Sequence, residues 1–188
     1  AINSLGSIAV ASVTAGQKIG MFFCCPFDAL GGTMATYAGQ NVGAKKLDRI
    51  RDGLKAASMI GIAYSLIAFV ILFFGGKYIA LLFMDADQTE IIGRVAMFLI
   101  GNSMFYIPLT FVVVRFTIQG MGFSTFAILA GVCEMAARSL VGFCLVPVFG
   151  FLPACFASPL AWIFADAFLL PAFFHCMKKL RKLFGETA

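Results

Sequence analysis

Charged side chains are scarce in this sequence. Asp, Glu, Lys and Arg make up 12% of its 188 residues, about half the share of a soluble domain. So few charges cannot cover a water-facing surface, and a soluble fold is excluded. There is one His and one Trp, and no HExxH, GxSxG, Walker A loop or paired metal-ligand spacing occurs. The chain is therefore expected to be no enzyme and to need no metal or organic cofactor. The six cysteines (Cys24, Cys25, Cys133, Cys144, Cys155 and Cys176) form no CxxC pair and fall mostly inside apolar runs, as small free thiols in a membrane would. Also missing are an initiating Met and a basic leader ahead of the first apolar run.

What is abundant is apolar surface. Hydrophobic residues make up 61% of the chain, the mean hydropathy is +0.97, and the apolar residues are spread almost end to end. The charges gather in Lys45 to Lys55, Asp85 to Arg94 and Lys178 to Lys182, and the intervals between them are long enough for helices of about 20 residues to cross hydrocarbon. Apolar length and helix breakers place spans at about 5–39, 56–74, 95–118, 123–146 and 154–177. Pro26 should kink the first, Gly75-Gly76 end the second, Pro108 sit inside the third, Pro147 and Gly150 stop the fourth, and Pro159 and Pro171 lie in the fifth. The expected fold is an all-α integral membrane protein of five transmembrane helices in a lipid bilayer.

Basic residues set its orientation. Lys45, Lys46, Arg49, Arg51, Lys55, Lys178, Lys179, Arg181 and Lys182 collect on one side, whereas the other has Lys77 and Arg94 beside Asp85, Asp87 and Glu90. The richer side is expected in the cytoplasm of a cell-membrane protein, with the C-terminus there too. The net charge of +5 comes largely from these flanking clusters, so no nucleic-acid partner is expected. Alternation then puts the start of the first span outside, most simply explained by at least one earlier span.

Charges at membrane depth cost about 2.5–3.5 kcal/mol each on insertion scales, which makes them candidates for function. Asp28, Glu134 and Asp166 all fall near mid-membrane, and Lys18 lies in the outer half of the first span. Glu134 and Arg138 are four apart with the acid first, a favourable helical pair that could serve a pathway or only neutralise itself. Arg115 is near a span end and could snorkel. Trp162 and Asp166 are also four apart; their shared face could hold an organic cation by ring and charge, or could be packed against a neighbour. His175, next to the basic tail, is expected at the surface. Gly16-x-x-x-Gly20 and Gly39-x-x-x-Gly43 have the spacing of close helix contacts.

Ala38-Gly39-Gln40-Asn41-Val42-Gly43-Ala44, followed by a basic segment, resembles the GQNxGA signature that closes a helix in the multidrug and toxic compound extrusion (MATE) family. Gln119-Gly120-Met121-Gly122, Ala130 to Arg138 and Pro159-Leu160-Ala161-Trp162 resemble later helices of the same family in the same order. The resemblance implies that the five spans are helices eight to twelve, most of the C-terminal six-helix lobe of a twelve-helix transporter, partnered by an N-terminal lobe. It implies export of organic cations or amphipathic drugs by alternating access, coupled to Na+ or H+ entry. One branch of the family carries a coupling acid on its tenth helix; the corresponding Ile107-Pro108-Leu109-Thr110 has none. Coupling would then fall to the N-terminal lobe or to Asp28, Glu134 or Asp166. Two other assignments share much of this pattern: a related flippase for lipid-linked saccharides, which wants a basic cavity, and a non-transporting assembly subunit, whose intramembrane charges should all pair internally.

Overall fold

In a computed structural model, residues 6–83 and 89–185 are described. Leu5, where the first span was expected to begin, and the acids Asp85 and Asp87 lie outside them. Every element among the described residues is helical: α1 (Ser7–Gly43), α2 (Leu47–Phe83), α3 (Thr89–Ser103), α4 (Tyr106–Leu109), α5 (Val112–Gly120), α6 (Ser124–Leu140), α7 (Val146–Phe149) and α8 (Phe151–Phe184). A five-residue π turn, Val141–Leu145, joins α6 to α7. Four helices or helix runs are long and apolar enough to cross a membrane, and α3 with α4–α5 makes a fifth, bent by 47°. The all-α membrane architecture is as expected from the apolar spacing.

The breakers act differently from what spacing alone suggests. Gly75-Gly76 does not end the second span, because α2 continues for 37 residues to Phe83. A Cβ on Gly76 would sit 3.5 Å from Leu99 Cβ, so the glycine pair is where α3 closes on α2 rather than where the helix frays. The third span is not one helix. Pro108 has no N–H for the Met104 carbonyl, and its ring crowds that carbonyl. The chain there resorts to tighter bonds, with the Phe105 amide donating to Asn102 O at 2.9 Å and the Phe111 amide to Pro108 O at 2.9 Å.

Pro147 does not stop the fourth span either. The π turn just before it, closed by the Val146 amide donating to Val141 O, widens the helix so that the missing donor is tolerated. The stop comes at Gly150, whose φ of 71° favours glycine. The fifth span extends to residues 151–184, with Pro153 in its first turn, and absorbs Pro159 and Pro171 in its interior.

The long helix α1 is packed against α3, α5 and α2, and α6 lies along α8. Small residues of α1 make this possible. A Cβ on Gly16 would enter the Phe98 ring, one on Gly31 the Phe116 ring, and one on Gly39 would come within 3.3 Å of Gly120 O. On the facing helix a Cβ on Gly120 would run into the Ala35 carbonyl, so two backbones touch with no side chain between them. The GQNVGA helix end and the Gln119–Gly122 turn, far apart in the chain, are thus one crossing in space. The aromatic centre of the bundle is Phe27 of α1, with rings of Tyr64 at 5.2 Å and Tyr106 at 6.1 Å.

Both expected basic clusters lie at one end. Arg181 donates to Asp48 Oδ1 at 2.8 Å, Lys45 Nζ is 5.8 Å from the Phe184 ring and Lys179 Nζ is 5.4 Å from the Phe123 ring. The α1–α2 turn, the α5–α6 turn and the end of α8 therefore share a face, as alternating spans require.

Candidate functional site

Depth along each helix, at 1.5 Å per residue from the basic end, locates the intramembrane charges. Asp28 is about 22 Å up from Gly43, Glu134 about 15 Å up from Ser124 and Asp166 about 18 Å up from Lys178. Glu134 and Asp166 fall near the middle of a hydrocarbon layer about 30 Å thick, and Asp28 falls within it toward the far side. Lys18 is about 37 Å from Gly43, toward the far end of α1, and is exposed.

The outward side of α1 is polar in two stretches, with exposed Met21 and Phe22 between them. Thr14, Gln17, Lys18, Asp28, Thr33, Thr36 and Gln40 are all exposed, at helical spacings that make one stripe. The threonines satisfy themselves, Thr33 donating to Ala29 O at 2.9 Å and Thr36 to Gly32 O at 3.2 Å. Among the described residues neither Lys18 nor Asp28 has an oppositely charged partner within 4.0 Å. A carboxylate facing acyl chains would be costly.

Glu134 is different. Arg138 donates to Glu134 Oε1 at 2.6 Å, the pair expected from the spacing, and Arg115 reaches Glu134 Oε2 at 3.7 Å. Arg115 therefore does not snorkel: it crosses from α5 to α6 over Gly131, whose absent Cβ would lie 3.4 Å from its guanidinium. One acid shared by two arginines leaves a net positive cluster. It borders a groove of about 530 Å3 lined by Glu134, Met135, Arg138, Ser139 and Phe143. Arg138 also lines a second cavity of about 310 Å3, where Gln17 of α1 and Ser158 of α8 meet Phe98 and Val146.

Trp162 and Asp166 do share one face of α8, but that face is turned into the bundle. Trp162 is buried with its ring edge-on to Phe105 at 6.3 Å, so it offers no open platform to an organic cation. Asp166 is only 8% exposed, and its buried Oδ1 has no hydrogen-bond partner. His175 is exposed, near the Phe126 ring. The six cysteines are free.

The profile of the MatE family matches residues 1–152, most of the chain. The chain belongs to the MatE family. It is thus a MATE-type transporter chain, multi-pass in its membrane, as the GQNVGA segment suggests. In this MatE chain the signature does structural work: Gly39 seats α1 on Gly120, Asn41 donates to Tyr37 O at 2.8 Å, and the Gln40 and Asn41 carbonyls accept the Ala44 and Lys46 amides at 3.0 and 2.8 Å. Gly43 and Ala44 are exposed at the turn that follows. The match ends before Trp162 and Asp166, so neither inherits a role from it. No curated protein and no solved structure matches the chain.

The hinge of the third span was not anticipated from sequence as a polar centre. Ser65 Oγ donates to one of the oxygens around it: Tyr106 O at 2.7 Å, Gly61 O at 2.8 Å and Thr110 Oγ1 at 2.6 Å. Tyr106 donates to Gly20 O at 3.1 Å, and Tyr64 to Phe23 O at 3.2 Å next to Pro26. Ser65, Asn102, Tyr106 and Thr110 are all buried. The only hint in the sequence was Pro108 with Thr110 two residues on. In the MatE chain the stretch that lacks an acid is instead a broken helix stitched by hydroxyls.

Proposed function

We propose that this chain forms most of the C-terminal lobe of a secondary active multidrug exporter in the cell membrane. It moves cationic or amphipathic compounds outward against Na+ or H+ entry by alternating access, with its C-terminus in the cytoplasm. The observation that carries the reading is uncompensated acid within the spans. Asp28 is exposed on the polar stripe of α1 and Asp166 is buried in α8, and neither has a cationic partner within 4.0 Å among the described residues. A non-transporting subunit would be expected to neutralise such groups internally. The stripe of α1 is the wall offered to substrate and to a facing N-terminal lobe, and Asp28 attracts the cation. Asp166, out of reach of water, takes up and releases the coupling ion as the bundle rocks about the α3–α5 hinge. Glu134 is committed to two arginines and holds α5 against α6.

The test is efflux of a dye and of norfloxacin by the full-length protein under imposed Na+ and H+ gradients. Asp28→Asn should raise the KM for cationic substrates, and Asp166→Asn should abolish gradient-driven efflux while substrate binding persists. No gradient-dependent efflux by the unaltered protein would sink the assignment. The net positive cluster at Arg115 and Arg138 favours a second reading, a flippase for lipid-linked saccharides. That reading predicts translocation of a pyrophosphate-linked lipid and indifference to Asp28→Asn.

A further inference from the structure

At the basic end, α2 and α8 enclose a cavity of about 330 Å3 lined by Arg51, Phe173, Phe174, Met177, Lys178 and Arg181. Its composition changes along one direction. Arg51, Lys178 and Arg181 form the polar mouth, while Phe173 and Met177 are buried in the wall and Phe174 is exposed toward the span. The nearby carboxylates are already engaged. Asp48 accepts from Arg181 Nη2 at 2.8 Å, and Asp52 lies 3.9 Å from Lys55 Nζ. Among the described residues neither Arg51 nor Lys178 has an acidic partner within 4.0 Å. The Nε of Arg181 is buried with no hydrogen-bond acceptor. A buried guanidinium N–H without an acceptor is costly, and two free cations, Arg51 and Lys178, converge on the same mouth.

We propose that this cavity binds an anionic phospholipid, with Arg51, Lys178 and Arg181 holding the headgroup phosphate and an acyl chain lying along Phe174. Phosphate oxygens supply the acceptors that Arg51 and Lys178 lack and add to the Asp48 contact of Arg181. A lipid is favoured over free phosphate because the lining passes from the three cations to Phe173, Met177 and the exposed Phe174. Basic pockets between spans on a cytoplasmic face recognise such headgroups by the same physics. The site is separate from the acids at mid-depth and does not depend on the transport reading.

The purified full chain in detergent is titrated with tail-labelled phosphatidylglycerol, with unlabelled phosphatidylglycerol, phosphatidylcholine and inorganic phosphate as competitors. Unlabelled phosphatidylglycerol should compete, and the other two should not. The double variant Arg51→Gln/Lys178→Gln should bind about tenfold more weakly. Lys46→Gln/Arg49→Gln, which removes two exposed charges from the same end outside the cavity, should change binding less than twofold. Lys178→Glu alone provides a check should the double variant lose its helical circular dichroism. Equal losses in the two double variants would mean diffuse attraction and overturn the site. Competition by inorganic phosphate as strong as by phosphatidylglycerol would overturn the lipid, and equal competition by phosphatidylcholine would overturn the headgroup.

Discussion

Glutamate 134 should be far more costly to neutralise than either arginine it holds. The three side chains are 17%, 29% and 47% exposed for Glu134, Arg115 and Arg138, so the cluster sits in a partly dry groove and carries a net charge of about +1. Glu134→Gln raises that to +2 with no counter-charge near. At about 2.5–3.5 kcal/mol per central charge, discounted by roughly a third for exposure, the loss is about 2 kcal/mol. Arg138→Gln removes an i,i+4 pair worth about 0.3–0.5 kcal/mol and leaves Glu134 matched by Arg115. Arg115→Gln removes a cross-helix contact worth about 0.6 kcal/mol in membrane proteins and also leaves a neutral pair. The ranking is Glu134→Gln well above Arg115→Gln, with Arg138→Gln near wild type. Reversible unfolding of the purified chain in mixed micelles, followed by circular dichroism, measures it. Arg115→Gln as damaging as Glu134→Gln would refute the shared-acid geometry and return Arg115 to an independent role. In the double variant Glu134→Gln/Arg115→Gln, part of the lost stability should come back.

Other consequences are as direct. Gly120→Ala places a methyl against the Ala35 backbone, which cannot swing aside, and should destabilise the chain by roughly 1–3 kcal/mol; Gly93→Ala, where nothing lies within 4 Å, should be neutral or gain up to about 1 kcal/mol. Equal melting of the two would contradict the close α1–α5 crossing. Tyr106→Phe removes the donor to Gly20 O and should cost about 0.6–1.7 kcal/mol in the same unfolding assay, with no change counting against the hinge bond. A cysteine at Asp28 should react with a membrane-impermeant maleimide in the full-length protein, whereas one at Phe74, exposed on the apolar side of α2, should not. Silence at both positions would remove the case for a wet stripe on α1.

Much of this protein follows from local chemistry. Runs of apolar residues between charge clusters determine helices that cross a membrane, because only an internally bonded backbone survives in hydrocarbon. The four-residue spacing of Glu134 and Arg138 determines their pairing, and the nine flanking cations determine that the α1–α2 turn and the α8 end lie on one side. Each of these depends on groups close in the chain or on the bilayer itself. Tertiary structure decided the rest. Whether Gly75-Gly76 ends a helix depends on Leu99 packing against it, and whether Arg115 snorkels depends on where Glu134 stands on another helix. The spacing of Trp162 and Asp166 places them on one face, but the direction of that face is set by α3, α4 and α6. The polar hinge brings together Gly20, Ser65, Tyr106 and Thr110, residues with no local relation. In a membrane, where lipid and side chain are equally apolar, hydrophobicity says which segments are buried in the bilayer but not which faces meet; close backbone contact and hydrogen bonds between helices decide that.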